Sequence, residues 1–237
     1  MNGAQPQPKP KTGPEPEPEP QSRSTNPPRA PVAGADSAAS GAGEAFLRNV
    51  PEVADMNQYW YSPTTIETIV GELEAAAQGQ DSPLRVACLS TPSVFFSLPE
   101  GSAVRAGSVA FDYDRQWEGH ANYRFFDFND PLGTIEPALQ HRFDMCVVDP
   151  PFITRDVWTK YAEAIRLCLK PAGVGGAPGR VILTTVGENE AMLRTVLGEE
   201  LGRPLRKATF MPAMQKPWYG FGYVALAHRI LFFCSGS

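Results

Sequence analysis

Apolar and polar positions divide the chain into two unlike parts. The first forty or so residues show no periodic apolar pattern at all. From about Glu44 onward, apolar runs of strand length alternate with apolar positions at helical spacing. Ser62-Pro63-Thr64 reads as a helix start, a hydroxyl N-cap followed by proline at the first helical position. Ile66, Ile69, Val70 and Leu73 follow on one face with Ala76 and Ala77 behind them, and Gly79 ends the helix. Residues 84–89 predict a first strand, and Thr91-Pro92-Ser93 opens a short helix carrying Val94, Phe95 and Leu98. Residues 108–111 predict a second strand that runs out at Asp112 and Asp114, and residues 123–128 a third that ends around Asp127. The fourth, residues 143–148, is the cleanest: Met145, Cys146, Val147 and Val148 form the unbroken apolar run of a strand covered on both faces. Thr154 caps a helix with Val157, Tyr161, Ile165 and Cys168 on one face, closed by Lys170-Pro171-Ala172-Gly173. A fifth strand follows at residues 180–185 and a helix at 188–201. The last strands are expected at 208–211 and 223–233, as an antiparallel hairpin across Trp218-Tyr219-Gly220.

Strands alternating with helices predict an α/β fold: a parallel sheet with right-handed crossovers and helices on both faces. The terminal hairpin makes the sheet mixed. Ligands in such sheets bind at the carboxyl ends of the strands, near the point where strand order reverses. The ends of the first, second and fourth strands are therefore where chemistry is expected.

Composition sharpens the division. Ten of the 24 prolines fall in the first 31 residues, in a Pro/Glu-rich and then Ala/Gly/Ser-rich stretch. Such sequence cannot bury enough apolar surface to offset its ordering entropy, so residues 1–43 are expected to be a disordered tail without specific function. Residues 44–237 are expected to form a single domain with a substantial core. No apolar run approaches the length of a membrane helix, and the N-terminus has no secretory or transit pattern, so no membrane partner is expected. Cys88, Cys146, Cys168 and Cys234 are widely spaced, which argues for reduced thiols in the cytosol or nucleus, and a cytoplasmic protein is expected. His120, His141 and His228 are scattered too, and no metal site is expected. The net charge of -5 supplies no global basic footprint for nucleic acid, though it leaves room for a local basic groove. A monomer is the simplest expectation.

The outstanding motif is Asp149-Pro150-Pro151-Phe152, directly after the fourth strand. Two prolines fix the backbone where the chain leaves the sheet and remove two N–H donors. A carboxylate and a rigid carbonyl can together accept the hydrogens of an amine. The aromatic ring beside them can stack on a planar base or lie under a cation. The tetrapeptide resembles the (D/N)-P-P-(Y/F) signature of methyltransferases acting on exocyclic or side-chain nitrogens. The rival reading is that the prolines merely end a strand and Asp149 caps the next helix. An S-adenosylmethionine site also needs a tight turn after the first strand and a carboxylate after the second, for the ribose hydroxyls. Asp112 and Asp114 both suit the second need, and the sequence does not separate them. The turn at residues 88–93 lacks a G-x-G. Asp127 stands where a polar side chain can meet the adenine amine.

Taken together, Gln58-Tyr59-Trp60-Tyr61-Ser62, the segment 87–94, Phe111-Asp112-Tyr113-Asp114-Arg115, the segment 126–132 and Phe143-Asp144 through Asp149-Pro150-Pro151-Phe152 resemble the eukaryotic elongation factor 1-alpha lysine methyltransferases. That family was earlier labelled as N6-adenine DNA methyltransferases because of its D-P-P-(Y/F) motif. The resemblance covers roughly residues 55–190. It implies a seven-stranded, Rossmann-like class I S-adenosylmethionine-dependent fold, a small-residue turn in place of the glycine loop, and methyl transfer to a lysine amine of elongation factor 1-alpha. It further implies donor binding by Trp60, Tyr61, Ser90, Pro92, Ser93, Asp112, Asp127 and Asp149, and catalysis by Asp149, Pro150, Pro151 and Phe152. Tyr59, Phe152 and Trp218 are the expected substrate contacts.

Beyond Thr185 the likeness fades, and late loops are where substrate selection commonly lies. A lysine ammonium must lose a proton before it can attack, whereas adenine's amine carries none to lose but has a delocalised lone pair. One acceptor pair serves both, so the motif alone does not choose between them. Lysine methylation is the favoured function. Adenine N6-methylation of DNA or RNA, and a catalytically silent methyltransferase-like binding module, are the alternatives.

Overall fold

The computed structural model describes residues 41–171, 179–201, 205–216 and 223–228. Of the tail expected at residues 1–43, residues 1–40 lie outside the described residues, as do Ala172 and Gly173, Trp218 with its turn, Cys234 and the last strand beyond His228, whereas Ala42 and Gly43 already belong to a helix, with Gly43 buried.

Helix α1 (Ala42–Asn49) leads to α2 (Pro63–Ala77), which begins as its sequence dictates: Ser62 Oγ accepts from Thr65 N at 3.3 Å and Pro63 takes the first helical position. The chain then runs through β1 (Val86–Leu89), α3 (Pro92–Ser97), α4 (Ala103–Gly107) and β2 (Val109–Asp112). It continues through β3 (Tyr123–Phe125), α5 (Pro131–Thr134), β4 (Met145–Val148), α6 (Arg155–Cys168) and β5 (Arg180–Val186). It ends in α7 (Glu190–Leu201), β6 (Arg206–Lys207) and β7 (Tyr223–His228). Five parallel strands lie side by side in the order β3-β2-β1-β4-β5. β7 joins β5 antiparallel, and β6 pairs antiparallel with β7 at the edge.

The alternation along each strand explains the two helical layers. Val86, Cys88, Ala110, Met145, Val147 and Ile182 face α2, α3 and α4. Ala87, Leu89, Phe111, Cys146, Val148 and Leu183 face α6 and α7. Successive strand residues point to opposite faces, and here both faces are core.

Two expected strands differ. The third stops at Phe125: Asp127 O accepts from Asp130 N at 3.0 Å, so the backbone turns into the cap of α5 instead of pairing onward. The expected strand at 208–211 is absent, and only Arg206 and Lys207 just before it pair with β7. The backbone beyond is committed elsewhere. Ala213 N bonds Thr65 Oγ1 (2.8 Å), Ala213 O accepts from Ser62 N (2.7 Å), and Gln215 N donates to Trp60 O (2.7 Å). Residues 213–215 thus strap the segment that enters α2.

Candidate functional site

Strand order reverses between β1 and β4, and their register brings Leu89 opposite Val148 and Phe111. Ser90, Asp112 and Asp149 therefore emerge together at the carboxyl edge of the sheet. They line a cavity of about 700 Å³ with residues 55–60, Phe126–Asn129, Pro150–Thr154, Tyr161 and Met214 among its walls.

The turn after β1 is built without glycine. Ser90 sits at φ 54, the left-handed region that glycine adopts freely and other residues avoid. It is held there by Ser90 N donating to Phe111 O (2.8 Å) and by a 2.6 Å hydrogen bond shared between Ser90 Oγ and Tyr161 OH. A β-branched residue is far worse in this conformation. Ser90→Val is expected to destabilise the fold by about 1 to 2 kcal/mol, which thermal unfolding measures. A valine variant as stable as the parent refutes the strain account.

The two carboxylates after β2 separate cleanly. Asp112 is buried on the cavity wall, where its Oδ1 accepts from Asp114 N at 2.9 Å. Asp114 is not a wall residue; its carboxylate accepts from Gln58 Nε2 (3.1 Å) and Gln116 N (2.9 Å) and caps the short turn at Arg115–Trp117. Burial pushes the Asp112 carboxyl up to about 7, and the nearby Asp114 charge adds to this while the backbone N–H groups of Asp114 and Tyr113 oppose it.

Asp149 leaves β4 with its backbone N bonded to Leu89 O (3.3 Å). It does not cap the next helix; Thr154 does, accepting from Val157 N at 3.4 Å. Burial raises the Asp149 carboxyl to about 7 against hydrogen bonds from Thr184 and Tyr61, which favour the ionised form. Pro150 is buried, and Asn189 Nδ2 donates to Ile153 O (2.7 Å), fixing the far end of the loop. Phe152, 49% exposed, meets Phe128 with ring centres 6.5 Å apart, and Phe128 stacks on Tyr161 at 5.8 Å.

Both raised carboxyls make stability depend on pH with a definite sign. Between about 4 and 7 the folded state holds protons that the unfolded chain has lost. The stabilisation is complete below the ordinary value of 3.8 and is lost as pH rises through about 7. Each carboxylate can contribute a slope of at most about 1.4 kcal/mol per pH unit in that window. Urea unfolding at several pH values is expected to show stability falling from pH 5 to pH 7.5. Asp112→Asn and Asp149→Asn should each flatten the slope, and an unchanged slope in both contradicts the burial of these groups.

Of the residues singled out from sequence, Trp60, Tyr59, Ser90, Pro92, Asp112, Asp127 and the Asp149–Phe152 tetrapeptide line the cavity. Tyr61 and Ser93 are buried and are not wall residues. Trp218 lies outside the described residues. The sequence did not single out Tyr161, which had the look of a core residue on α6, nor Phe128, Met214 or Thr184. Thr184 carried one legible signal: with Thr185 it interrupts the otherwise apolar β5 at its carboxyl end, where a buried hydroxyl needs a partner.

With this geometry in view, the chain matches over residues 52–221 the family described as "Probable N6-adenine methyltransferase". The chain belongs to that family. Its relatives include EEF1A lysine methyltransferase 1 of Gallus gallus, 30% identical over 155 residues, 65% of this chain and 67% of that protein. The Bos taurus protein of the same name is 29% identical over 64% of this chain and 63% of its own length, so the chain spans about two thirds of these relatives. Among solved structures, the branched-chain polyamine synthase of Thermus thermophilus, in complex with N4-aminopropylspermidine and 5'-methylthioadenosine, superposes with a TM-score of 0.52. It is 17% identical, with 78% of this chain and 62% of that chain covered. The fold of the family member described here is thus a Rossmann-like methyltransferase fold, five parallel strands with helices around them.

Proposed function

We propose that the chain is an S-adenosylmethionine-dependent protein-lysine N-methyltransferase of the cytoplasm acting on elongation factor 1-alpha, with β6 and β7 completing the seven-stranded class I sheet. One observation carries the choice of substrate. Four carboxylates, Asp55, Asp112, Asp127 and Asp149, line the cavity, and no lysine, arginine or histidine is among its described walls. Such a site attracts cations and repels phosphate. A lysine ammonium suits it, whereas a nucleic acid brings an anionic backbone to its mouth. The names of the relatives point the same way.

The walls fit the methyl donor: a buried carboxylate at the end of β2, a tight turn after β1 and aromatic rings enclose a space large enough for a nucleoside. When bound, the donor supplies a methyl group on a positively charged sulfur. Asp112 would hold the ribose hydroxyls and Asp127 the adenine amine, with Ser90, Pro92 and Trp60 shaping the cradle. Asp149 and the Pro150 carbonyl accept the N–H groups of the lysine, and Asp149 above its raised value can take the ammonium's proton. Phe152 and Phe128 offer ring faces to the cation left on the methylated nitrogen. Rate comes mainly from alignment of amine and donor.

The test uses isotope-labelled methyl donor, the full chain and a cell lysate with and without nuclease. Nuclease-resistant label in a protein band of elongation-factor size, mapped to lysine, is the expected result. Label confined to nucleic acid establishes the adenine reading that the family's description carries. No donor binding by calorimetry leaves the silent module.

A further inference from the structure

Behind the cavity wall lies a chain of hydroxyls that the donor and substrate roles leave unexplained. Thr184 Oγ1 donates to Asp149 Oδ1 at 2.8 Å, and Tyr61 OH stands 2.7 Å from Thr184 Oγ1. Tyr61 also hydrogen-bonds Asp149 itself. The threonine has a single hydrogen. The Tyr61 hydroxyl likewise has one hydrogen, which is shared between Thr184 Oγ1 and the Asp149 carboxylate, so both hydroxyls direct their hydrogens toward Asp149. Thr184 is 1% exposed and Tyr61 2% exposed.

Three different elements hold this arrangement. Asp149 directly follows β4, and β5 carries Thr184 one residue past the Val148–Leu183 pair. The backbone of Tyr61 pairs with Met214 in an antiparallel bridge, flanked by the Ser62–Ala213 and Gln215–Trp60 bonds. A side chain with so many rotamers excluded by burial and backbone pairing holds its hydroxyl in a fixed place.

We infer that Thr184 and Tyr61 are positioning residues for Asp149, fixing the plane of its carboxylate so that its remaining lone pairs are presented to the incoming amine. Tyr61 then serves the reaction through Asp149 and not through contact with the donor, which is a different role from the one its motif implies. The inference deepens the proposed methyl-transfer function and rests on it. The other titratable groups are Tyr161 of α6, with Asp55, Asp112, Asp127, Tyr59 and Tyr113 sharing the cavity. None of them is altered by the variants below.

The test separates the pair from the wider proposal by reading the carboxylate directly. In protein carrying isotope-labelled aspartate, with the Asp149 signal assigned by Asp149→Asn, the midpoint of its titration is followed by NMR in the parent, Tyr61→Phe, Thr184→Val and Thr184→Ser. Loss of a hydrogen bond to the ionised form is expected to raise the midpoint by roughly one pH unit in the Val and Phe variants. At pH 7, kcat is expected to fall by about five-fold and to recover as pH rises, while donor affinity stays within about two-fold. Thr184→Ser, which keeps the hydroxyl, restores the parent values and answers for any folding defect of the valine. An unmoved midpoint overturns the inference, as does a donor affinity that falls in step with kcat. The titration holds its meaning even if no substrate is methylated, so failure of the proposed function is seen separately, in the labelled-donor experiment.

Discussion

Asp149→Ala is expected to lower methyl transfer by a factor of about 100 or more, with the fold intact and donor affinity changed far less. The reasons are local. The carboxylate is the only acidic group of the tetrapeptide, it emerges at the reversal point of the sheet, and it is held by hydroxyls from two other elements. The Pro150 carbonyl still accepts an N–H of the amine, but a carbonyl is no base and cannot take the proton. Alanine deletes the acceptor for the amine's hydrogens and the base for its proton at once. Asparagine is the sharper variant. It preserves shape and still accepts from Thr184, so the loop keeps its support, yet it cannot take a proton. Single-turnover transfer at saturating donor measures the chemical step, and calorimetry with the demethylated donor measures binding. If Asp149→Asn retains more than about a tenth of parental transfer, proton acceptance by this carboxylate is not what drives the reaction.

The parts of the molecule legible in sequence are those in which one local pattern has one physical meaning. The unbroken run Met145–Val148 can only be a strand buried on both faces, and Ser62-Pro63 can hardly be anything but a helix start. The tetrapeptide after β4 is equally local, since its chemistry lies within four residues. What escaped depends on pairing between distant segments. β6 is two exposed basic residues with no alternation to betray them, while the apolar stretch after it is drawn off by Thr65 and Trp60, about 150 residues away. Ser90 is instructive in the opposite sense. A serine in a left-handed turn leaves no glycine signature, and only the partners Phe111 and Tyr161 explain how the turn is held. Tyr161 lies on the apolar face of α6, where sequence assigns it to the core; the structure agrees that it is buried, and also makes it a wall of the cavity with its hydroxyl bonded to Ser90 Oγ. Periodicity reports which face a residue is on. It does not report whether that face ends at a cavity.

The choice between Asp112 and Asp114, open in the sequence, yields the second large effect. Asp114 has its carboxylate committed to Gln58 and Gln116, and Asp112 faces the cavity with one backbone N–H on Oδ1. Asp112→Ala is expected to weaken donor binding by roughly 10- to 100-fold, the range for losing hydrogen bonds to a charged acceptor. The kcat at saturating donor should stay near the parental value, because the ribose is remote from the transferred methyl and the lost interaction is equal in ground and transition states. Asp114→Ala should instead lower thermal stability through its lost cap and spare the donor. The pH dependence gives a check that does not rely on truncation. Ribose hydroxyls donate to the ionised carboxylate, so donor binding expels a proton from Asp112 at pH values below about 7. Affinity is therefore expected to fall as pH drops through that value, with proton release detectable as a buffer-dependent heat. In Asp112→Asn both the slope and the release attributable to this group should vanish. A donor affinity that drops with Asp114→Ala and not with Asp112→Ala reverses the assignment and moves the ribose to the outer carboxylate.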